Sequence, residues 1–281
     1  MTPTDKPPRV YCEARLEHVE RPAPRVLRAT LVGDGLVGYL PVRPAEAFRL
    51  LLPPPGVSRI AFPQTGADGL PTWPDERLRP MLRGFTVRHV GGGSITFDVM
   101  ERDDVLWRSR LQPGRTVGVA GMRFGYHAAD AAGHHVLVGD RSALPAISAS
   151  LDGVPDGQRC TVVLAVADPA ERALLPDRPH TTVRWAEQDR LASVLATELA
   201  DTPPDHVLAA GEVAVVAAAH SLVTDAYGLP ASRVQPIVYW QRGIGADERD
   251  PRIYQRYQQA ARDGRDVGDP ARVAELELTP V

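Results

Sequence analysis

Hydrophobic and polar positions change their pattern once along the chain. In Ile95–Met100 apolar residues sit at 95, 97 and 99, the period-two alternation of a half-buried strand. Val26–Val32, Phe48–Leu52, Phe85–Val90 and Thr116–Ala120 are further candidate strands, split by Gly/Pro turns. Gly91-Gly-Gly-Ser94 reads as a hairpin turn. Frequent turns and few helical windows up to about Gly125 predict a closed β-barrel. Pro53–Gly56 and Pro63–Pro80 read as long loops, and Tyr126–Gly133 as a linker.

Beyond the linker, strand Val136–Val138 is followed by a helix from Ser142, the expected N-cap. Strand Val162–Val166, helix Pro169–Leu175, strand Thr181–Trp185 and helix Arg190–Leu199 come next. Strand Val207–Ala210, helix Glu212–Tyr227 and strand Val234–Trp240 complete the alternation. Such alternation predicts a parallel sheet with helices on both faces. One amphipathic helix is expected around Pro251–Arg262, with a loose chain end after it. The expected domains are residues 1–128 and 129–281.

Composition narrows the function classes. A chain of 281 residues accommodates two domains of about 130–150 residues. A net charge of −3 with scattered arginines gives no basic field for nucleic acid or an anionic membrane. Cys12 and Cys160 fit neither a disulfide framework nor a zinc site, which makes a reducing cytoplasm the default. The first eight residues read as a disordered arm without the apolar core of a signal peptide. The longest apolar run, Val213–Ala219, falls short of the ~20 residues of a membrane span.

Candidate chemistry gathers at a few places. On an extended chain Arg83 and Phe85 share one face, a cation for phosphate and a ring for a planar heterocycle. Thr86 and Arg88 share the other. Gly139-Asp140, followed by Ser142 and Ala143, and Gly211-Glu212 lie at the carboxyl ends of two expected parallel strands. Ligands of such sheets bind there, and free helix N–H groups favour an anion. Glycines at strand-to-helix turns also serve simply to make room. His220 interrupts an apolar helical face and reads as a core residue. His134-His135 lacks a third ligand at metal spacing, so no metal site is assigned. No Gly-x-Ser-x-Gly is present, so hydrolase chemistry is set aside.

Arg83-Gly-Phe-Thr-Val-Arg88 resembles the Arg-x-Tyr-Thr-x-Arg flavin motif of the siderophore-interacting proteins. These are FAD-binding ferric-siderophore reductases of the ferredoxin-reductase-like superfamily. Ala45–Pro53, Gly139–Ala146, Ala210–Glu212 and Tyr239–Gly243 fall in that family's order and spacing. The resemblance implies a Greek-key-like FAD-binding barrel followed by a parallel-sheet domain that takes a nicotinamide nucleotide. It implies FAD held by Arg83, Phe85, Thr86, Arg88 and Arg123, and NAD(P)H at Gly139, Asp140, Ser142, Ala143, Gly211 and Glu212. Trp240, with Arg242, belongs in the cleft near the flavin, whereas Tyr239 reads as a buried aromatic. Thr86 and Trp240 are the catalytic candidates. Ferric siderophores are often anionic, so Arg49, Arg88, Arg123 and Arg242 are the substrate-binding candidates.

Departures from the family pattern qualify what the resemblance implies. Phe85 replaces the usual tyrosine, and Arg141-Ser142 replaces Glu-Thr. The small-residue loop that wraps the FAD pyrophosphate is replaced by Met100-Glu-Arg-Asp-Asp-Val-Leu-Trp107, shortened and acidic. Its three carboxylates would repel a dianion, and Arg102, Arg108 and Arg123 are the cations available to compensate. The first functional expectation is a flavin-dependent NAD(P)H reductase of ferric siderophores. The second is a scaffold turned to a non-redox cyclisation or isomerisation in natural-product biosynthesis, with an organic substrate in the cleft. The third is a siderophore-binding module without turnover.

Overall fold

The computed structural model describes residues 11–41, 43–65, 71–73, 75–101, 110–123, 125–128 and 130–281. The chain forms two compact units that meet in sequence between Gly125 and Tyr126.

In the first unit, β1 (Tyr11–Ala23), β2 (Val26–Val32), β3 (Ala47–Leu52), β6 (Met81–Gly91), β7 (Ser94–Met100) and β8 (Thr116–Arg123) close a barrel. The order is β1-β2-β7-β6-β3-β8, antiparallel throughout. Alternation drives closure. Leu27, Ala29, Leu31, Phe48, Leu50, Ile95, Phe97, Val99, Val117 and Val119 fill the interior. Each large side chain so buried contributes about 1.5–3 kcal/mol. Intervening residues such as Arg28, Arg49 and Asp98 form the outer wall. The Gly91–Ser94 turn is a hairpin, with Gly92 and Gly93 at φ +57° and +76°, backbone that favours glycine.

Two features differ from the sequence expectation. β1 was not foreseen: Glu13, Arg15 and Glu17 face outward, and register slips after Leu16 and Glu20 break its alternation. Pro63–Pro80 is not simply a loop. It carries a two-stranded ribbon, β4 (Gln64–Thr65) and β5 (Pro71–Thr72), and before it Ile60 and Phe62 cover Leu51, Leu82 and Ala120 on the barrel wall.

In the second unit, β9 (His134–Asp140), β10 (Arg159–Ala165), β11 (Thr181–Trp185), β12 (His206–Glu212) and β13 (Val234–Trp240) form a parallel sheet ordered β11-β10-β9-β12-β13. The helices are α1 (Leu144–Gly153), α2 (Pro169–Arg172), α3 (Leu191–Leu199), α4 (Val213–Ser221), α5 (Ala246–Arg262) and α6 (Pro270–Leu278). Val136, Val138, Val163, Val207 and Ala209 join one core with α3 and α4. Their neighbours Leu137, Val162, Leu164, Leu208 and Ala210 are equally buried, so both sheet faces are covered. Strand order reverses between β9 and β12, the switch point where crevices open at strand ends.

The expected helix Glu212–Tyr227 instead ends at Ser221 and continues as a π-turn over Leu222–Ala226, where Thr224 Oγ1 donates to the His220 carbonyl at 3.0 Å. Nor is the chain end loose. α6 packs on β13 and α4, and the side chain of Gln241 exchanges two hydrogen bonds with the Val281 backbone. Tyr126, placed in the linker from sequence, is buried and its hydroxyl meets His135 Nδ1 at 2.9 Å.

His134 and His135 are satisfied core residues. His134 pairs with the Pro203 carbonyl and Thr161 Oγ1, and His135 with Tyr126 and the Ala131 carbonyl. Burial is the main cause that pushes both imidazoles below their ordinary pKa. The unfolded chain therefore binds more protons than the native one once pH drops beneath the unfolded value of about 6.5. This stability is complete above that value and is lost as pH falls through the lowered folded values. A falling melting temperature between pH 7 and 5 is expected for wild type, with a shallower fall for His134→Gln. Identical slopes would contradict it.

Candidate functional site

The stretch Arg83–Arg88 lies in β6, paired with β3 so that Phe48 faces Phe85, Ala47 faces Thr86 and Arg49 faces Gly84. Arg83 and Phe85 do share a face, and it is the inner one. The Phe85 ring lies 4.8 Å from Phe97 and 6.3 Å from Phe48, centroid to centroid, half-buried against the barrel core. Core packing therefore takes up much of the ring that the sequence reading reserved for a planar heterocycle. Arg83 is partly buried and donates from Nη1 to the Leu82 carbonyl at 2.9 Å.

Thr86, buried, belongs to the opposite face. Ala47 pairs with Thr86 on one side and with Arg123 on the other. In the next row Arg49 lies between Gly84 and Ala120. The backbone register thus sets Thr86 and Arg49 about Gly84 and Ala47, with the backbone of Arg123 beside Ala47, while Ile60 and Phe62 cover Ala120. Glu46 secures this edge: its carboxylate accepts from the Tyr39 hydroxyl at 2.5 Å, and its carbonyl accepts from Val87 N at 2.7 Å. Burial pushes the Tyr39 phenol well above its ordinary pKa, so it stays a donor. Neither Tyr39 nor Glu46 was singled out from sequence.

Arg88 sits at a register slip between Val87 and His89. The slip keeps Val87 and Val90 inside and turns Arg88 to Asp98, whose Oδ2 it meets at 3.2 Å. Asp98 also receives Arg28, with Nε on Oδ1 at 2.7 Å and Nη2 on Oδ2 at 3.0 Å. A Glu20–Arg28–Asp98–Arg88 ladder therefore crosses four strands. Arg88 spends one nitrogen on the wall before any ligand arrives.

Of the acidic stretch after Met100, Glu101 is described, and it does not act as a free carboxylate. Buried, it is paired with Arg21 Nη1 at 2.5 Å and Nη2 at 3.4 Å. Residues 102–109, with Arg102 and Arg108, lie outside the described residues, as does the side chain of Arg123. For Glu101 the compensating cation is Arg21, missed because it belongs to the unforeseen β1 and lies 80 positions away. With Glu101 and Asp98 both neutralised, the wall carries no uncompensated carboxylate among these residues. Small Gly84 and Ala47, the buried Thr86 hydroxyl and exposed Arg49 fit a planar, anionic flavin dinucleotide.

At the strand ends of the second unit, Asp140, Ser142, Glu212, Trp240 and Arg242 form one network. Asp140 Oδ1 accepts from Ser142 N at 2.8 Å and Ser142 Oγ at 2.5 Å. Its Oδ2 accepts from Glu212 N at 2.7 Å and Trp240 Nε1 at 3.0 Å. Glu212 caps α4 through Ala214 N at 2.7 Å and accepts from Arg242 N at 3.1 Å. Ser142 is therefore not the cap; Asp140 caps the short turn Arg141–Ala143 that leads into α1. The expectation of free N–H groups for a phosphate is also corrected. Ser142 N and Ala214 N are both taken by carboxylates whose charge opposes an anion.

Close packing dictates the two glycines here. A Cβ on Gly139 would stand 2.3 Å from the Ala210 carbonyl oxygen and 2.7 Å from the Ala143 Cβ. Gly211, at φ +135°, passes over the Asp140 carboxylate. Arg141, where the resembled family has glutamate, forms a fork with the buried Glu171 of α2, both bonds at 2.6 Å. Among the described residues no cluster of three or more His, Cys, Asp or Glu is disposed to hold a metal.

Two family models match the chain. "Siderophore-interacting FAD-binding domain" covers residues 15–121, and "Siderophore-interacting protein" covers residues 132–243. The chain is 25% identical over 253 residues to the ferric vibriobactin reductase ViuB of Vibrio cholerae, spanning 84% of this chain and 90% of that protein. Among solved structures, the siderophore-interacting protein of A. baumannii superposes with a TM-score of 0.71 at 20% identity, covering 90% of this chain and 99% of that one. A siderophore utilization protein from T. fusca superposes at 0.69 with 25% identity, covering 86% and 96%. The fold is ferredoxin-reductase-like, as the match to the Amycolatopsis cytochrome P450 reductase GcoB, TM-score 0.59, also indicates.

Proposed function

The chain belongs to the siderophore-interacting protein family, and from that premise we propose that it is an FAD-dependent NAD(P)H reductase that releases iron from ferric siderophores. The observation that carries this reading is the barrel-wall patch. Buried Thr86 and exposed Arg49 stand beside Gly84 and Ala47, all within the segment matched as an FAD-binding domain.

When bound, FAD supplies the link between a two-electron hydride donor and the one-electron reduction of Fe(III). The chain's own residues hold and screen. Arg83, whose Nη1 also donates to the Leu82 carbonyl, brings a planar guanidinium to the pyrophosphate from the face of β6 opposite Thr86. Thr86, buried beside Ala47, offers a hydroxyl away from bulk water. Arg21 and the Arg28–Arg88 pair cancel carboxylates that would otherwise repel the dianion. Exposed Arg49 and Arg242 attract an anionic ferric chelate. Fe(II) is less charged and holds oxygen chelators more weakly, so reduction releases it. One NAD(P)H yields two Fe(II) and one proton. No described helix is long and apolar enough to cross a membrane, and the cytoplasm, where NAD(P)H is supplied, is the proposed location.

The test is a visible absorption spectrum of the purified protein, followed by anaerobic addition of NAD(P)H and a ferric siderophore with a chromogenic Fe(II) chelator. Flavin bands that bleach with NAD(P)H, and two Fe(II) trapped per NAD(P)H, are expected. A protein that stays colourless after incubation with FAD would end the proposal.

A further inference from the structure

Asp140 reads from sequence as part of the site for a nicotinamide nucleotide, whose phosphates repel a carboxylate and whose ribose hydroxyls suit one, but its bonds point to another task. An ionised carboxylate offers about four lone-pair sites. Asp140 is 2% exposed, and four donors already converge on it: Ser142 N and Oγ on Oδ1, Glu212 N and Trp240 Nε1 on Oδ2. No acceptor site remains for a ribose hydroxyl. The donors come from the entry to α1, the end of β12 and the end of β13, so one carboxylate ties three segments together.

The backbone of β12 is shaped around that carboxylate. A Cβ on Gly211 would stand 2.7 Å from Asp140 Oδ2. The register with β13 slips between Gly211 and Glu212, which brings Glu212 opposite Trp240. The indole N–H thereby reaches Oδ2 of a residue 100 positions earlier.

We propose that Asp140 is a positioning residue: it fixes the Trp240 indole at the β9–β12–β13 strand ends in the orientation that admits a nicotinamide ring, and does not itself bind the cofactor. The nicotinamide ring rests on the function proposed above; the fixing of Trp240 does not.

Two variants separate this role from ribose binding. Asp140→Ala removes the acceptor. Asp140→Asn gives up the Ser142 N bond, since its amide faces Ser142 and only the hydroxyl can rotate to accept, but it keeps a carbonyl for Glu212 N and Trp240 Nε1. Trp240 emission is isolated by subtracting the matched Trp240→Phe protein, because Trp73, Trp107 and Trp185 also emit. In Asp140→Ala, acrylamide quenching of Trp240 should rise severalfold and kcat for NAD(P)H-dependent flavin reduction should fall severalfold, with KM for NAD(P)H much less changed. Asp140→Asn should restore both readouts.

Unchanged Trp240 quenching in Asp140→Ala overturns the proposal, as does a raised KM with kcat intact, which is the pattern of a lost ribose ligand. Thermal melting checks the fold. If Asp140→Ala does not fold, Trp240→Phe carries the test, since it removes the indole N–H and leaves the other three donors in place. It must then reproduce the kcat loss, and an unaltered kcat overturns the proposal. A wild-type protein that oxidises no NAD(P)H would fail the proposed function, while the quenching comparison still decides whether Asp140 holds Trp240.

Discussion

Arg83→Ala is expected to purify largely without flavin while keeping its fold. The pyrophosphate of FAD is a dianion, and the stretch that follows Met100 replaces with acidic residues the small-residue loop that family members wrap around it. Charge-assisted hydrogen bonds must then carry more of the load, and an arginine fork is the strongest single donor set a side chain offers. Truncating one partner of a buried charge pair costs on the order of 2–5 kcal/mol. That is roughly 30- to 5,000-fold in affinity at ~1.4 kcal/mol per decade. Arg83→Lys should recover little, since an ammonium cannot reproduce two aligned donors. The measurement is flavin-to-protein ratio with thermal melting of the three apoproteins. Full occupancy in Arg83→Ala would remove Arg83 from the site, and a collapsed melting transition would make it structural.

The pattern along the chain was most informative where one face of an element does one job. Val26–Val32 and Ile95–Met100 alternate over their central residues, because Leu27, Ala29, Leu31, Ile95, Phe97 and Val99 turn to the barrel core while Arg28 and Asp98 turn to the wall. Thr181–Trp185 and Val234–Trp240 were legible to the residue. Tyr11–Ala23 was hidden for the opposite reason: its register slips twice, so no single alternation describes it. α6 went unseen because its nine residues are short for a periodicity signal and gain stability from docking on β13.

The candidate site was legible in residue type and less so in role. Gly139, Asp140, Ser142, Gly211, Glu212 and Trp240 were all singled out, and they do meet at the strand ends. What sequence could not supply was which group serves which. Asp140's partners lie 2, 72 and 100 positions away. Only the sheet order brings Gly211 and Trp240 to it, so donors from three segments meet on a carboxylate that reads from sequence as a cofactor ligand. Glu101, at the start of the acidic stretch after Met100, reads likewise as repulsive until Arg21 of β1, two strands across from β7, is found against it. Long-range pairing thus compensates Glu101 and Asp98.

The same logic makes Asp98 the most costly polar residue of the barrel to remove. Its carboxylate, 3% exposed, stands between Arg28 and Arg88, which are 20% and 23% exposed. In Asp98→Ala two half-buried guanidinium groups face each other across β7, with half-exposed Glu20, 3.8 Å from Arg28, left as the ladder's counter-charge. Breaking a fully buried pair costs about 3–5 kcal/mol; partial exposure lets water screen some of this, so about 2–4 kcal/mol is expected here. For a domain of this size that lowers the melting temperature by roughly 10 °C. Three comparisons separate charge from lost packing. Asp98→Asn keeps an acceptor and should fall between the two. Arg88→Met in the Asp98→Ala background removes one of the repelling cations and should recover part of the loss. Raising salt, which shortens the screening length to ~3 Å at 1 M, should rescue Asp98→Ala more than wild type. If instead Asp98→Ala melts with the wild-type protein and shows no excess salt dependence, the ladder contributes nothing to the barrel, and Arg88 is held in place by its register slip alone.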